Sequence, residues 1–396
     1  MGLGIKRKIN YFRSLVESIF IRYLQNTRGS NFGTPKVEEY GCWYIKKDDL
    51  KTFLHTKGKE ILQEADLVVS HQFDILGTGL QFWGDPIEWN LDIKNSHRWP
   101  LHYYKLIIHK DLTGTNGSDI KIPWELSRFQ YIAPLIKAYI LNGNQKYSLE
   151  GVNQILNWMD KNPFLYGVNW TCAMEVAIRS CNWIWAWWAF KDDPAWTDMF
   201  NQRFLKSLWQ HGWYIEHNLE NNGGIRTNHY LSDVIGLLFI GIMFPQFKDS
   251  ARWKEFGFKE LIRSMDEMVY PDGVSFENSI AYHRLLLELF CYAAILCQRN
   301  GIELPQLFLE RLERMFDFIM YCIRPDGHMP MIGDSDDGRF FILSDYYNWD
   351  RWDHRYLVSV GAVLFNRSDY KTVAAKFHEE TFWLLGKEGF KKFQEL

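Results

Sequence analysis

Four glycines, Gly167, Gly223, Gly273 and Gly327, each precede a polar loop and then a helical segment, and they fall 56, 50 and 54 residues apart. An interval of that size holds two helices of about twenty residues with their turns. The spacing therefore predicts an antiparallel helix pair repeated along the chain. Apolar periodicity agrees, and predicts helices over 125–141, 147–160, 171–190, 196–219, 229–243, 251–269, 277–300, 306–323, 352–366 and 369–381. Long alternating strands are absent, and 67–75 is the best candidate for extended structure. Segment 171–190 is apolar on nearly every face, through Trp183, Ile184, Trp185, Ala186, Trp187, Trp188, Ala189 and Phe190. Such a helix is buried on most sides. The inner helix of a ring of hairpins meets that condition; an outer one does not. The expected fold class is all-α: an incomplete toroid of about five to six helix hairpins. It occupies residues 121–396, and residues 1–120 form an N-terminal helix and an irregular arm packed on it.

Composition narrows the partners. Lys plus Arg number 45 against 48 Asp plus Glu. No strong field favours nucleic acid, and no basic run interleaved with aromatics is present. Aromatic residues make up 17% of the chain, with 18 Trp. Packing between long helices accounts for most such rings, and the remainder suits stacking on the apolar C–H faces of sugars. Six Cys stand at positions 42, 172, 181, 291, 297 and 322 with no CxxC pair. That pattern argues for buried reduced thiols and against a zinc ribbon or a thioredoxin-type motif. No cofactor and no metal is expected. Ile5, Ile9, Phe12, Leu15, Val16, Ile19, Phe20 and Tyr23 form a helical stripe, and Glu17 and Arg22 interrupt what a signal peptide would keep apolar. The stripe is most simply a helix docked on the body of the protein, with a weak membrane-surface contact as the alternative. The expectation is a cytoplasmic chain with no apolar run long enough to span a bilayer.

Two of the glycine-marked loops run into polar and aromatic clusters. The first carries Asn221, Asn222, Gly223, Gly224, Arg226, Asn228, His229 and Tyr230; the second carries Pro271, Asp272, Gly273, Glu277, Tyr282, His283 and Arg284. Both precede apolar helical stretches, so both clusters belong near helix N-termini on one face of the repeat. An Asn at a helix start is often only a cap, and a lone Tyr-His pair is usually structural. Recurrence 54 residues apart, from Asn228 to Tyr282, strengthens the joint case. Amide donors, imidazoles and a phenol gathered there suit binding an anion and moving a proton. Glu175 and Arg179 stand one turn apart, either as an ordinary i,i+4 ion pair or with Glu175 orienting Arg179 beside the cleft. Asp334, Ser335, Asp336, Asp337, Gly338 and Arg339 form a polar turn that caps a helix or braces the site from the next repeat.

Asn228-His229-Tyr230, with Tyr282-His283 after Pro271-Asp272-Gly273, resembles the α/α-toroid domain of the heparinase II/III and alginate lyase group of polysaccharide lyases. Trp170, Met174, Glu175 and Arg179, and the stretch His97-Arg98-Trp99-Pro100, are similar to other recurrent parts of that group; the likeness covers residues 80 to 380. The resemblance implies β-elimination at a uronic acid in an acidic polysaccharide. Asn228 and His229 would neutralise the carboxylate, and Tyr282 would be the catalytic acid/base. Trp170, Glu175, Arg179, Arg226, His283, Arg284 and His97 would bind substrate. The residue types suit that chemistry, because removing the C5 proton adds charge to an existing anion, and donors aimed at the carboxylate stabilise the resulting enediolate-like state. A phenol nearly unionised at neutral pH needs a cationic neighbour to act as a base. His229 from the other loop is better placed for that than His283 or Arg284, whose side chains diverge from Tyr282 on one helix. The group also carries a C-terminal β-sandwich that closes the cleft. None fits in this sequence, so weak or absent turnover is expected of this chain alone.

Other readings remain open. Asp334-Ser335-Asp336-Asp337 spells the acid motif of class II terpene cyclases, although the repeated Gln-Trp motifs of that group are not evident and such a run before Gly is usually a turn. An α/α-toroid glycoside hydrolase would draw paired acids from Glu175, Glu277 and Asp334. A non-catalytic carbohydrate-binding module would keep the Trp and Arg contacts without needing Tyr282.

Overall fold

The computed structural model describes residues 40–41, 43–107, 117–221, 223–335 and 338–396, together with Val16. The rest of the stripe from Ile5 to Tyr23, and Cys42, Asn222, Asp336 and Asp337, lie outside these residues. The helices are α1 (Lys47–Leu54), α2 (Gly58–Val69), α3 (Lys121–Ser127), α4 (Ile132–Asn142), α5 (Gln145–Lys161), α6 (Ala173–Phe190), α7 (Asp198–His217), α8 (Asn228–Met243), α9 (Ser250–Met268), α10 (Ile280–Arg299), α11 (Gln306–Cys322), α12 (Arg355–Phe365), α13 (Ser368–Ala374) and α14 (Glu379–Glu395). Among the described residues, strands are confined to two antiparallel ribbons, β1 (Gln72–Phe73) with β2 (Gln81–Phe82) and β3 (Leu91–Asp92) with β4 (His97–Arg98), beside isolated bridges between Tyr103 and Tyr166 and between Val269 and Ser275.

The helices form a toroid. α4, α6, α8 and α10 pack side by side as successive inner helices, and α5, α7, α9 and α11 each return outside the one before. α12 continues the circuit against α11 and α14, and α1 closes it by packing on both α14 and α4. Two helices upstream of residue 120, α1 and α2, thus pack with the helical ring, and among the described residues there the two ribbons and their connections form the irregular part.

Burial separates the two layers as the apolar pattern predicts. Every residue of α6 is buried. In α8 only His229 is not, and in α10 only Tyr282, Gln298 and Arg299 are not. The outer helices α5, α7, α9 and α11 bury one stripe each, as amphipathic helices do. α10 is the one described helix long and apolar enough to cross a membrane, with mean hydropathy 1.5, but 94% of that stretch is buried inside the ring. Its apolarity is that of a core helix.

The four repeat glycines share a backbone requirement: Gly167, Gly223, Gly273 and Gly327 all have positive φ, at 90°, 65°, 92° and 87°. Gly273 is the most constrained, because a Cβ there would stand 2.3 Å from the Arg314 carbonyl carbon. The α9–α10 loop therefore lies directly on α11.

Three sequence expectations need correction. The helix expected over 125–141 is two, α3 and α4, broken where Phe129 takes a φ of 60°. Pro134 lacks an N–H and fits the first turn of a new helix. The helix expected over 369–381 stops at Ala374, capped by Ala375 at φ 63°, and α14 begins only at Glu379. Segment 67–75 is largely not extended: α2 runs to Val69, and only Gln72–Phe73 pairs as strand.

The tryptophans serve the core. Of the 18, only Trp124, Trp213, Trp349 and Trp352 escape full burial, and none of these is exposed. Trp158, Trp170 and Trp183 surround His211, with ring centroids 5.7, 4.9 and 4.9 Å from its imidazole.

Candidate active site

The inner helices borrow carboxylates at their N-terminal ends. The first N–H groups of a helix lack intrahelical partners and sit at the positive end of its dipole. For α6, the Met174 N–H donates to Glu220 Oε2 at 2.8 Å. For α8, the Asn228 N–H donates to Glu277 Oε1 at 2.7 Å, and the Asn228 side-chain amide donates to Glu277 Oε2 at 2.7 Å. For α10, Ser279 caps the Tyr282 N–H with its own hydroxyl at 3.2 Å and donates that hydroxyl to the Asp334 carbonyl. Tyr282 Oη then reaches Asp334 Oδ2 at 3.1 Å. Glu220, Glu277 and Asp334 are 57 residues apart in succession. Each repeat thus supplies an acid to the helix start of the repeat before it.

This arrangement joins the two clusters. Glu277 belongs to the second loop and clamps Asn228 at the end of the first, holding the amide plane while leaving its second N–H. His229, the next residue, is partly exposed and its Nδ1 lies 3.1 Å from Glu220 Oε1. Burial disfavours the imidazolium, but the hydrogen bond and charge of Glu220 outweigh it and hold His229 above its ordinary value. Burial pushes Glu220 the other way from its partners, and His229 with the Met174 N–H keeps it below the usual carboxylate range. Both directions describe one ion pair, His229 positive and Glu220 negative. Cys172, the residue before α6, packs against it with Sγ 3.9 Å from His229 Nδ1.

Most of the other expected substrate contacts are placed elsewhere. Arg179 is fully buried; its guanidinium donates to His211 Nε2 at 2.9 Å and the Asn169 carbonyl at 3.1 Å, and lies 4.1 Å from the Trp158 ring. Burial pulls it down to about 9. Trp170 is buried beside it and donates its indole N–H to the Asn162 carbonyl. Glu175 does not orient Arg179: it takes a bidentate pair from Arg128, both bonds 2.7 Å, in buried surroundings. The i,i+4 spacing misleads because α6 is inner on all sides, so each side chain answers to a different neighbour. His283 is buried between Ser275 N–H, which donates to its Nδ1 at 3.3 Å, and the Met315 carbonyl 3.1 Å from its Nε2. Burial holds it down to about 4, neutral in the fold. Arg284 is buried and donates to the Arg351 and Gly338 carbonyls. Arg226 is tied to Glu267 and Glu260 behind the first loop and lies over the Tyr230 ring. His97 sits on β4, edge-on to Trp99. As placed, the partly exposed groups in the first turns of α8 and α10 are His229 and Tyr282, and Asn228 is buried and held by Glu277.

Sequence reasoning missed Glu220 and Arg128 and gave Glu277 only an acid's part. The regular 57-residue interval of Glu220, Glu277 and Asp334 was the available signal. A cavity of about 650 Å³, lined by Trp187, Trp188, Lys191 and Arg299, lies at the far end of α6 from Cys172 and includes none of these residues.

Comparison with known proteins decides the family. The sequence model described as Heparinase II/III N-terminus matches residues 16–353. The chain belongs to the heparinase II/III family. Among its relatives, a heparin-sulfate lyase of Pedobacter heparinus is 29% identical over 296 residues, which is 72% of this chain and 41% of the relative. A heparin-sulfate lyase of Bacteroides stercoris is 25% identical over 333 residues, 78% of this chain and 46% of the relative. The chain thus spans less than half the length of these relatives. Among solved structures, heparan sulfate lyase HepC from Pedobacter heparinus superposes with a TM-score of 0.56 at 24% identity, covering 84% of this chain and 52% of that one. The Heparinase III-BT4657 gene product does so with a TM-score of 0.54 at 22% identity, covering 93% and 51%. At these identities the heparinase II/III structures bear on fold, and the fold they share with this chain is the α/α toroid.

Proposed function

We propose that this chain is the toroid part of a polysaccharide lyase that cleaves a uronate-containing glycosaminoglycan by β-elimination. One observation carries the reading: α8 and α10 are buried throughout their first three turns except at His229 and Tyr282, the imidazole and the phenol the chemistry needs. A core helix exposes a polar side chain at its first turn for a reason, and two adjacent helices do so here. The relatives named heparin-sulfate lyase supply the substrate class.

In this reading the uronate carboxylate lies across the start of α8. The remaining Asn228 N–H donates to it, and imidazolium His229 adds positive charge. Both lower the cost of placing a second negative charge on the C5–carboxylate unit as the proton leaves. Glu277 holds the amide in place before substrate arrives, so no reorganisation accompanies the reaction. Tyr282 exchanges protons with the sugar: its oxygen takes the C5 proton when ionised, the C4–O bond breaks as the C4–C5 double bond forms, and the phenol proton goes to the departing glycosidic oxygen. Asp334, hydrogen-bonded to Tyr282 Oη, sets the direction of the phenol O–H before substrate displaces it. The hydrolase alternative finds its acids engaged: Glu175 by Arg128, Glu277 by Asn228 and Asp334 by Tyr282.

The experiment is ultraviolet detection of the unsaturated uronate product across sulfated and unsulfated uronate polymers, with wild type, Tyr282→Phe and Asn228→Ala. Unsaturated product that disappears in Tyr282→Phe is the expected result. Saturated product, or turnover indifferent to Tyr282→Phe, would overturn the reading.

A further inference from the structure

The cluster behind His229 has the composition and the dimensions of a metal site. Cys172 Sγ lies 3.7 Å from Glu220 Oε1 and 3.9 Å from His229 Nδ1, and Oε1 and Nδ1 are 3.1 Å apart. These three atoms come from three separate segments: the residue before α6, the loop after α7, and the first turn of α8. Thiolate, imidazole and carboxylate bind zinc at about 2.0–2.3 Å, and two ligands on one tetrahedral ion stand about 3.3–3.7 Å apart. The observed triangle matches that spacing within a few tenths of an ångström. A cation bonded to all three would sit just out of their plane.

We infer that Cys172, Glu220 and His229 form a three-ligand site for a borderline-soft divalent cation of the zinc class, with a fourth position open to solvent. In the metal-free chain the pairing of Glu220 with His229 and the Cys172 S–H, which donates to both Glu220 oxygens at 3.5 and 3.7 Å, already hold the three groups together as a ready-made triangle. One further feature favours a bound cation. Glu220 Oε2 accepts the Met174 N–H, which fixes the carboxylate with Oε1 toward the imidazole and both oxygens within 3.7 Å of the sulfur. Asp233 is fully buried behind Glu220: one of its oxygens accepts the Glu220 N–H at 2.8 Å, and the other, Oδ1, has no hydrogen-bond partner. Burial and then the charge of Glu220 push Asp233 well above the usual carboxylate range, which favours its neutral form and adds no negative charge behind the site. Burial and the Glu220 and Glu175 charges hold the Cys172 thiol well above its ordinary value, against the Glu175 N–H, so a cation bound there must itself displace the thiol proton.

Cys172 is buried, whereas the side chains of His229 and Glu220 are 43% and 24% exposed. The fourth position therefore opens on the solvent side, where water or a carboxylate can bind. Metal binding through Nδ1 displaces the proton that pairs with Glu220 and leaves Nε2–H as a donor, so a bound cation replaces the imidazolium charge beside the carboxylate clamp. The inference concerns cation binding and does not rest on the elimination reading.

The test is titration of the chelator-treated full chain with cobalt(II), followed by thiolate-to-cobalt charge transfer and by thermal shift. One equivalent should bind with a charge-transfer band, zinc should displace it, and the Tm should rise. Cys172→Ser should remove the band, while Cys322→Ser leaves it unchanged. Glu220→Gln keeps an oxygen for the Met174 N–H and should weaken binding by about tenfold or more. It also carries the test should Cys172→Ser fail to fold. No band at saturating cobalt, a band that persists in Cys172→Ser, or undiminished affinity in Glu220→Gln would each overturn the inference. Tyr282→Phe should bind cobalt like wild type while losing elimination, so the two readings fail separately.

Discussion

At the scale of single residues, the protein treats its histidines in two opposite ways. His229 is held above its ordinary 6.5 by Glu220, against the effect of its own burial. Its share of the pair's stability is complete below pH 6.5 and fades as pH rises through the folded value. Glu220 titrates below its ordinary 4.5, so its share is present above pH 4.5 and is lost as pH falls through its own folded value. The pair is intact between these limits, which keeps His229 cationic toward neutral pH. Glu220→Gln removes the charge, so the His229 imidazole should titrate lower, and KM for an acidic oligosaccharide should rise at neutral pH while changing little in acid. Nitrogen NMR of the imidazole with a KM–pH profile checks this; an unchanged His229 titration would refute it. His283 is the reverse case, neutral in the fold with a value near 4. The unfolded chain takes up a proton below pH 6.5 and the folded chain does not, so stability is full above 6.5 and falls toward pH 4. His283→Gln presents an amide to Ser275 and Met315 without that proton. Relative to this variant, wild type should lose about 2–3 kcal/mol between pH 7 and pH 4.5, measured by denaturant unfolding at both values.

At the scale of elements, the loops carry the demands. Gly273→Ala places a Cβ against the Arg314 backbone at a φ of 92°, and should cost about 2–4 kcal/mol. Gly301→Ala, at φ 68° with nothing within 4 Å, should cost only about 1 kcal/mol. Unfolding free energies of the two variants check the contrast, and equal losses would show that the Arg314 contact is not the constraint. Glu277→Gln exchanges an acceptor for a donor opposite the Asn228 amide. It should lower kcat/KM by about tenfold or more with a stability loss of about 1–3 kcal/mol. A kinetic loss no greater than the stability loss explains would mean that Glu277 only caps α8. The helices themselves were legible in the sequence, because α6 is apolar on nearly every face, the others show helical apolar periodicity, and the glycines mark the turns. The breaks at Phe129 and Ala375 were not, since neither residue announces a left-handed backbone. The loops of the site were legible from Asn228 and Tyr282, but their partners were not. Arg128 reaches Glu175 across 47 positions, and Glu277 reaches Asn228 across 49. Helical spacing reports neighbours on one helix and is silent about contacts between them.

At the scale of the whole molecule, the ring must be shut where its beginning meets its end, and it is shut by charge. Lys137 of α4 is buried, with its ammonium 3.6 Å from Glu64 of α2 and 3.4 Å from Glu379 at the start of α14. Lys57, between α1 and α2, reaches the same Glu379 at 3.0 Å. Burial works to neutralise Lys137, but Glu379 and then Glu64 hold it above its ordinary value. Glu379, also buried, is kept below the carboxylate range against its own desolvation by Lys137 and Lys57. Removing one member of a buried ionic group leaves the others charged without compensation, at a cost of about 3–5 kcal/mol. Lys57 is partly exposed and still faces Glu379, which places Lys137→Met near the lower end, at about 3 kcal/mol. The loss should have a location as well as a size. The network ties α2, α14 and the turn after α1 to α4, so hydrogen exchange should quicken in α1, α2 and α14 before it does in α6, α8 and α10. Uniform quickening across all six helices, or no loss of stability in Lys137→Met, would show that apolar packing alone closes the ring. The candidate site lies at the starts of α8 and α10, away from the seam, and Lys137→Met should therefore leave KM unchanged below its unfolding temperature.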